Sequence, residues 1–442
     1  MKFETVKTFI LILLIGTSLL LTFALWTYQP NDTPLNNDEL VNEVHIGGTE
    51  ERRSTMILPS TIVFHYYDGN YGFEDPSFQH EFFNELQSWE MGSFEVDEAN
   101  PDRTPEEYEV EMLFPEDIPM EMITRIFSIE EDSEDMPSWS FNRMYITFDQ
   151  NSLELAVTFP SIDERSEANV VITNSENYNE LFSQLTSRDG LTELLVINEE
   201  ENPVYFPSDI DILTRHSLSV LHTSADMLVN ALFPSPSIVN RSVSPNINSG
   251  GSYFTDGVRE LNVDQGGNTM EFFNPAASDY PTMGMARLMR TSIQHVNDHM
   301  GWTEEYNLLD MDRALNKITY QMYYDGYPVF NNFQMTDIVQ EWRSQNFLYR
   351  YERPLFRLNN SLGTEELEIL SGEALYDFLL SDKSDYNLES ITEIRVGYDL
   401  TYHDPDLNDY VTLEPAWFME YNDSWKKIQF DSNEGSPIQG GN

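Results

Sequence analysis

Phe9 to Trp26 reads FILILLIGTSLLLTFALW, eighteen residues without a charge. Continued through Tyr28 the run reaches about 20 residues, the length at which a helix spans a bilayer core of roughly 30 Å. Lys2 and Lys7 precede it, and Asp32, Asp38, Glu39 and Glu43 follow. The positive-inside rule therefore places the N-terminus in the cytoplasm and the body outside. The run exceeds a signal-peptide core, and Thr22-Phe23-Ala24 is a poor cleavage site, which favours a retained anchor. Gly16, Ser18 and Thr22 sit within the span, with Ser18 and Thr22 four apart on one helix face. That spacing fits a helix–helix contact and ordinary lipid-facing tolerance equally well.

Beyond the anchor the hydrophobic period alternates between helical and extended. Phe82, Leu86 and Trp89 predict a helix over Phe78–Trp89. Tyr108, Val110, Met112 and Phe114 alternate as a half-buried strand. Arg143–Phe148 and Leu153–Phe159 flank a polar tetrad and predict a hairpin, and Ser175 is placed to cap a helix. The Ser-, Asn- and Pro-rich stretch from Ser235 to Ser252 marks an internal boundary. Met283–Met300 has helical apolar spacing, and Ile318–Phe330 predicts a hairpin turning at Asp325-Gly326. Ser371 caps a helix to Leu380, and Ile391–Tyr402 with Tyr410–Tyr421 predict a last hairpin. The expected fold class is α+β: an N-terminal transmembrane helix, then a multidomain mixed α/β body with antiparallel sheets and hairpins. Its expected parts are a cytoplasmic stub (1–8), the anchor (9–28), a linker (29–52) and an N-terminal α/β domain (53–215). A middle α/β domain (216–310), a C-terminal α/β domain (311–430) and a disordered tail (431–442) complete it.

Charge narrows the partners. The 442 residues carry 76 Asp plus Glu against 24 Lys plus Arg, a formal net charge of −52. Nucleic acid is excluded as a partner, since phosphate backbones need clustered cations. A solvated surface adapted to a salty or alkaline medium explains the acidity more simply than an acidic binding role. There is no cysteine, so thiol catalysis, zinc-thiolate sites, disulfides and a lipoprotein anchor are excluded.

A search for chemistry returns little. There is no nucleophile elbow, phosphate-binding loop or dinucleotide fingerprint. Ser424-Trp425-Lys426-Lys427 matches S-x-x-K by letter alone and lacks the companion motifs. His295 and His299 share a helix face, but Val296 stands where a zinc protease carries Glu. His299 lies near the apolar stripe, while His295 is expected in solvent. Asp404–Asp409 opens like a calcium loop, yet Asp409 replaces the required glycine and Pro415 the closing glutamate. The reading is a non-enzyme without cofactor or metal. Aromatic residues crowd the two last hairpins, and core packing is their first explanation. An outward subset, Tyr324, Tyr327, Trp417 and Trp425, is the candidate protein-binding surface.

The opening KFETVK, the apolar span and LWTYQPN resemble the start of YycH proteins of Gram-positive bacteria. The stretches YFTDGVRELNVD, MEFFNP, YYDGYPVFN and LEPAWFMEYNDSW resemble that family's C-terminal half. Residues 51–250 resemble it in general layout alone. The resemblance implies an accessory regulator of the essential WalK–WalR two-component system, which controls cell-wall metabolism. It implies association with the sensor kinase WalK and with the smaller protein YycI, through the membrane helix and the extracytoplasmic body. It also implies a C-terminal part that is YycI-like, carries over no catalytic residue, and allows a homodimer. An extracytoplasmic sensor of a wall-derived ligand and an envelope scaffold stand as alternatives.

Overall fold

In the computed structural model, residues 7, 14–18, 33–34, 45–100, 103–104, 106–129, 136–199, 202–210, 212–243, 251–275, 281–331, 335–344, 347–381, 384–403 and 409–430 are described. Among them no helix is long and apolar enough to cross a membrane. Residues 14–18 are helical and exposed, which covers Gly16 and Ser18. The rest of the expected span, Thr22 included, and the tail from 431 lie outside the described residues, as do Glu130–Asp135 and residues 404–408.

A short strand β1 (Thr33–Pro34) comes first and pairs with residues 240–241. The first sheet then takes β2 (Thr61–Tyr66), β3 (Gly69–Phe73), β4 (Glu90–Glu98), β5 (Tyr108–Pro119) and β6 (Ser128–Ile129). It continues with β7 (Ser140–Asp149), β8 (Glu154–Pro160), β9 (Ser166–Ile172), β10 (Leu191–Ile197) and β11 (Val204–Pro207). Their order is β11-β10-β3-β2-β5-β7-β8-β9-β4-β6. One face packs on α1 (Pro76–Ser88) and α2 (Ser175–Ser187). The side chain of Asp75 accepts the Ser77 N–H at 2.8 Å and starts α1, whose Phe82, Phe83 and Leu86 are buried. For α2 the capping residue is Asn174, one position before the expected Ser175.

The second sheet begins in mid-chain with β12 (Ile212–His222), followed by α3 (Ala225–Leu232) and β13 (Asn240–Val243). Next come β14 (Ser252–Thr255), β15 (Glu260–Val263), β16 (Thr269–Phe273) and α4 (Met285–Asn297). The meander β17 (Glu305–Asp312), β18 (Lys317–Tyr324), β19 (Tyr327–Phe330), β20 (Ile338–Ser344) and β21 (Phe347–Pro354) follows. The long β22 (Phe356–Glu368), α5 (Gly372–Leu380), β23 (Ile391–His403), β24 (Tyr410–Tyr421) and β25 (Trp425–Lys427) complete it. The path runs β1-β13-β14-β15-β16-β21-β20-β18-β19-β23-β24-β12-β22, with β17 on β18 and β25 on β24. One local expectation changes here. The boundary stretch Ser235–Ser252 carries β13, which pairs residue by residue with β14. Residues 367–368 end the long β22, whose partner is β12. The pairing of β22 leaves no local signal, because its partners lie about 150 positions away.

The sheets are not independent. One apolar cluster runs from Phe64, Met112 and Phe83 of the first sheet and its helix α1 to Tyr320, Phe356 and Leu288 of the second sheet and α4. A smaller one joins Val204 and Phe206 of β11 to Leu375 of α5 and Trp417 of β24. Residues 45–52, expected as the end of a linker, are bound to the second half. Ile46 is buried. The N–H groups of Ile46, Gly48 and Thr49 donate to the carbonyls of His299, Met300 and Trp302 at 2.9–3.1 Å. Asn297 accepts the Glu51 N–H and returns its amide to the Glu51 carbonyl, each at 2.9 Å, while taking the Trp302 indole N–H at 2.7 Å.

Gly372 opens α5 directly beneath β11. A Cβ there would lie 1.8 Å from the Pro207 carbonyl oxygen, a backbone atom that cannot swing aside. Gly372→Ala is expected to destabilise the protein by about 1–3 kcal/mol through this overpacking. Denaturant melts check it; an unchanged midpoint would contradict close contact at this seam.

Candidate interaction surface

The β18–β19 hairpin turns at Asp325 (φ 49°) and Gly326 (φ 78°), the two positive φ values that a tight two-residue turn requires. Its tip reaches the first sheet: a Cβ at Gly326 would sit 3.0 Å from Pro76 at the start of α1. Tyr324 and Tyr327 are accordingly half-buried in the seam. Tyr324 packs on His216 and Tyr398, with ring centres 5.0 and 6.0 Å away, and Tyr327 on Tyr398 at 5.7 Å. Trp417 is 2% exposed and gives its indole N–H to the Leu370 carbonyl at 2.6 Å. It is core, not surface, because Leu375 and Leu379 of α5 share its apolar cluster on that side of β24. Trp425 alone of the four opens on a wide groove, resting on Phe330, which stacks on Phe418 at 4.0 Å.

That groove encloses about 850 Å³ on the face of the second sheet opposite α4. Strands β18, β20, β21 and β24 supply its floor through alternate residues, as sheet geometry dictates. Its charges are mixed. Lys317 pairs with Asp310 at 3.6 Å, Lys427 with Asp399 at 3.0 Å, and Arg350 with Glu271 and Glu352. Burial pushes the Asp337 carboxyl up to about 7, although the Thr336 hydroxyl and Lys317 work against the shift. Burial likewise raises Glu352 and Glu420. Thr319 Oγ1 and Gln321 Oε1 are buried without a hydrogen-bond partner. Three carboxyls held toward neutrality and two unsatisfied oxygens make a surface that favours a polar partner bearing donors. Nothing among the lining residues pairs a nucleophile with a base.

The histidine pair resolves differently from expectation. His299 is buried and lies 3.1 Å from the Tyr351 hydroxyl. His295 is not solvated: its ring packs on Trp342 and Tyr351 at 5.4 and 5.3 Å. Burial lowers both, His295 to about 4, so both are neutral packing groups at pH 7. Among the described residues no three His, Asp or Glu side chains converge as metal ligands.

Sequence reading missed a buried charge network on the far face of the first sheet. Glu111 accepts from Arg143 at 2.6 Å and lies 3.1 Å from His65, whose other ring nitrogen meets Asn70 at 2.9 Å. Burial opposes ionisation of Glu111, but His65 and Arg143 outweigh it and hold the carboxyl below its usual range. The signal was the pattern Glu109, Glu111 alternating with Val110, Met112, which reads equally as a solvated strand face.

Asp337 makes the groove pH-sensitive. Its folded value of about 7 lies above the ordinary carboxyl value of 3.8. Below that ordinary value both folded and unfolded chains hold the proton; as pH rises toward 7 only the folded chain does, so stability falls across this window. Asp337→Asn removes the slope. Its melting temperature is expected to match the parent's trend at pH 4 and to gain on it by pH 8; a gap constant with pH would refute the assignment.

Comparison with known proteins fits this architecture. The model of the YycH protein N-terminal domain matches residues 4–190, and that of the YycH protein C-terminal domain matches residues 201–435. A Bacillus subtilis (strain 168) protein named two-component system WalR/WalK regulatory protein YycH is 23% identical over 444 residues, covering 96% of this chain and 95% of its own. The crystal structure of YycH from Bacillus subtilis superposes with a TM-score of 0.70 at 20% identity, covering 88% of this chain and 100% of that one. The solved structure thus shares the fold. The junction between the two domain matches falls beside β11, the strand that serves both the first sheet and the α5 core. Two successive domains of one family, matched in order along almost the whole sequence, establish that this chain belongs to the YycH family.

Proposed function

We propose that this protein is an accessory regulator of a WalR/WalK two-component system, acting on the sensor kinase WalK and so on cell-wall metabolism. The observation that carries the reading is similarity to a protein with that name over 96% of this chain and 95% of that protein. In this reading the anchor Phe9–Trp26 holds the body outside the cell and packs against the kinase's own spans through Gly16, Ser18 and Thr22. The groove bearing Trp425 receives an extracytoplasmic part of the kinase or of YycI. A regulator of this kind shifts the kinase only by its difference in affinity for two kinase states. A tenfold shift asks for about 1.4 kcal/mol of such difference, within reach of a few packed contacts.

The groove also supports a second reading, an extracytoplasmic sensor of a soluble ligand, because about 850 Å³ is a volume suited to a small molecule. The two separate in membranes. Replacing Phe9–Trp26 by an unrelated span is expected to abolish crosslinking to the kinase and its response while leaving the body folded. Retained coupling with the foreign span would refute the anchor contact. Trp425→Ala is expected to weaken body-mediated crosslinking at least several-fold; full retention would remove the groove from the interface.

A further inference from the structure

Carboxylates outnumber cations 76 to 24 in this chain, so an arginine has no shortage of partners. Arg103, Arg143, Arg350 and Arg395 each take one. Others do not, and four of these stand close together. Arg53, Arg125, Arg287 and Arg290 have no ion pair among the described residues and are not among those with an interaction left undescribed. They are nonetheless gathered together, lining one cavity of about 340 Å³.

Three separate segments bring them there. Arg53 stands on the 3-10 turn Arg53–Thr55, and Arg125 on the single helical turn Ile123–Ile126 of the first half. Arg287 and Arg290 lie three apart on one face of α4. The opening turn of α4, at Gly284, brings no acidic side chain. Glu121 is the one carboxylate in the lining; it is exposed and pairs with none of the four. The crowding has a price visible on Arg53, which burial, then Arg290 and Arg125, push below the usual guanidinium range. The net charge of −52 does not cancel this locally, because screening in physiological salt confines each exposed charge to roughly 8 Å.

A second cavity, of about 650 Å³, shares Arg53 and Arg290 and adds apolar walls from Phe272, Trp342 and Leu348. The pair therefore offers guanidinium forks on one side and an apolar shelf on the other. Guanidinium matches phosphate oxygens in two-point contact better than any other side chain. We propose that this cleft binds a phosphate ester, its phosphate held by Arg53, Arg125, Arg287 and Arg290 and its organic part lying in the adjoining lobe. The same chemistry is carried by free phosphate esters and by phospholipid headgroups.

Calorimetric titration of the full chain in neutral detergent tests this with three probes: pyrophosphate, glycerol 3-phosphate and dihexanoyl phosphatidylglycerol. Saturable binding of at least one is expected, weakened tenfold or more in Arg125→Gln/Arg290→Gln. Preference for the short-chain lipid assigns the headgroup as source, and preference for a water-soluble probe assigns a free ester. Without ligand the double variant is expected to melt at or above the parent temperature, since it loses repulsion; a structural role for the arginines would lower it. The single variant Arg287→Gln, expected to bind several-fold more weakly, guards against misfolding of the double one. The proposal is overturned if the parent binds none of the probes saturably, or if the variants bind as the parent does.

Discussion

The structure depends most on Asn297, the last residue of α4. Its one side chain satisfies both backbone groups of Glu51 and the indole of Trp302. Through it the segment that leads into the body is fixed along the second half before the chain turns away to build the first sheet. The bonds from Ile46, Gly48 and Thr49 extend the seam, and the Leu308 N–H bond to Met56 at 2.9 Å carries it to the edge of β17. Backbone groups buried at such a seam must be paired, and these are paired across about 250 residues of sequence. A force applied to the lead-in is therefore borne first by α4 and β17 and only then by the first sheet.

The same economy governs charge. Among the described residues most acidic side chains lie in solvent, where they cost little, while Glu109 and Glu111, taken inside, are matched. Glu111 sits between His65 and Arg143, and Glu109 against Arg103 at 2.5 Å. Removing one member of such a set would leave the other buried and unpaired, which is far worse than never having had the pair. Where matching stops, in the groove beside Asp337 and in the arginine cleft, the surface has electrostatic work left for a partner.

Much of the local architecture was legible in the sequence. Helix α1, the β7–β8, β18–β19 and β23–β24 hairpins and the Ser371 cap all follow from spacing and turn chemistry, which act over a few residues. What was not legible depends on partners far along the chain. Thr33–Pro34 looks like loop until its cross-strand partner at Asn240–Arg241 is known. His295 looks exposed on α4 until Trp342 and Tyr351 arrive from β20 and β21 to cover it. Trp417 and Trp425 are eight residues apart and similar by pattern, yet one is core and the other faces a groove. The difference is α5, which covers only one of them. The arginine cleft is invisible for the same reason, since its four side chains come from three segments.

The path of the second sheet carries a consequence for how the chain assembles. The first sheet needs nothing beyond Pro207 and can pair while the rest of the polypeptide is being made. The second cannot, because β12 lies between β22 and β24 and waits for both. The lead-in, although first made, must wait for residues 297–308 before it can dock. Contacts of such long sequence separation are slow to form and keep unfinished edges open meanwhile. A shortened chain lacking β23 and β24 would thus lose the interior of a sheet and not its rim, leaving β12 and β22 as an isolated strand pair.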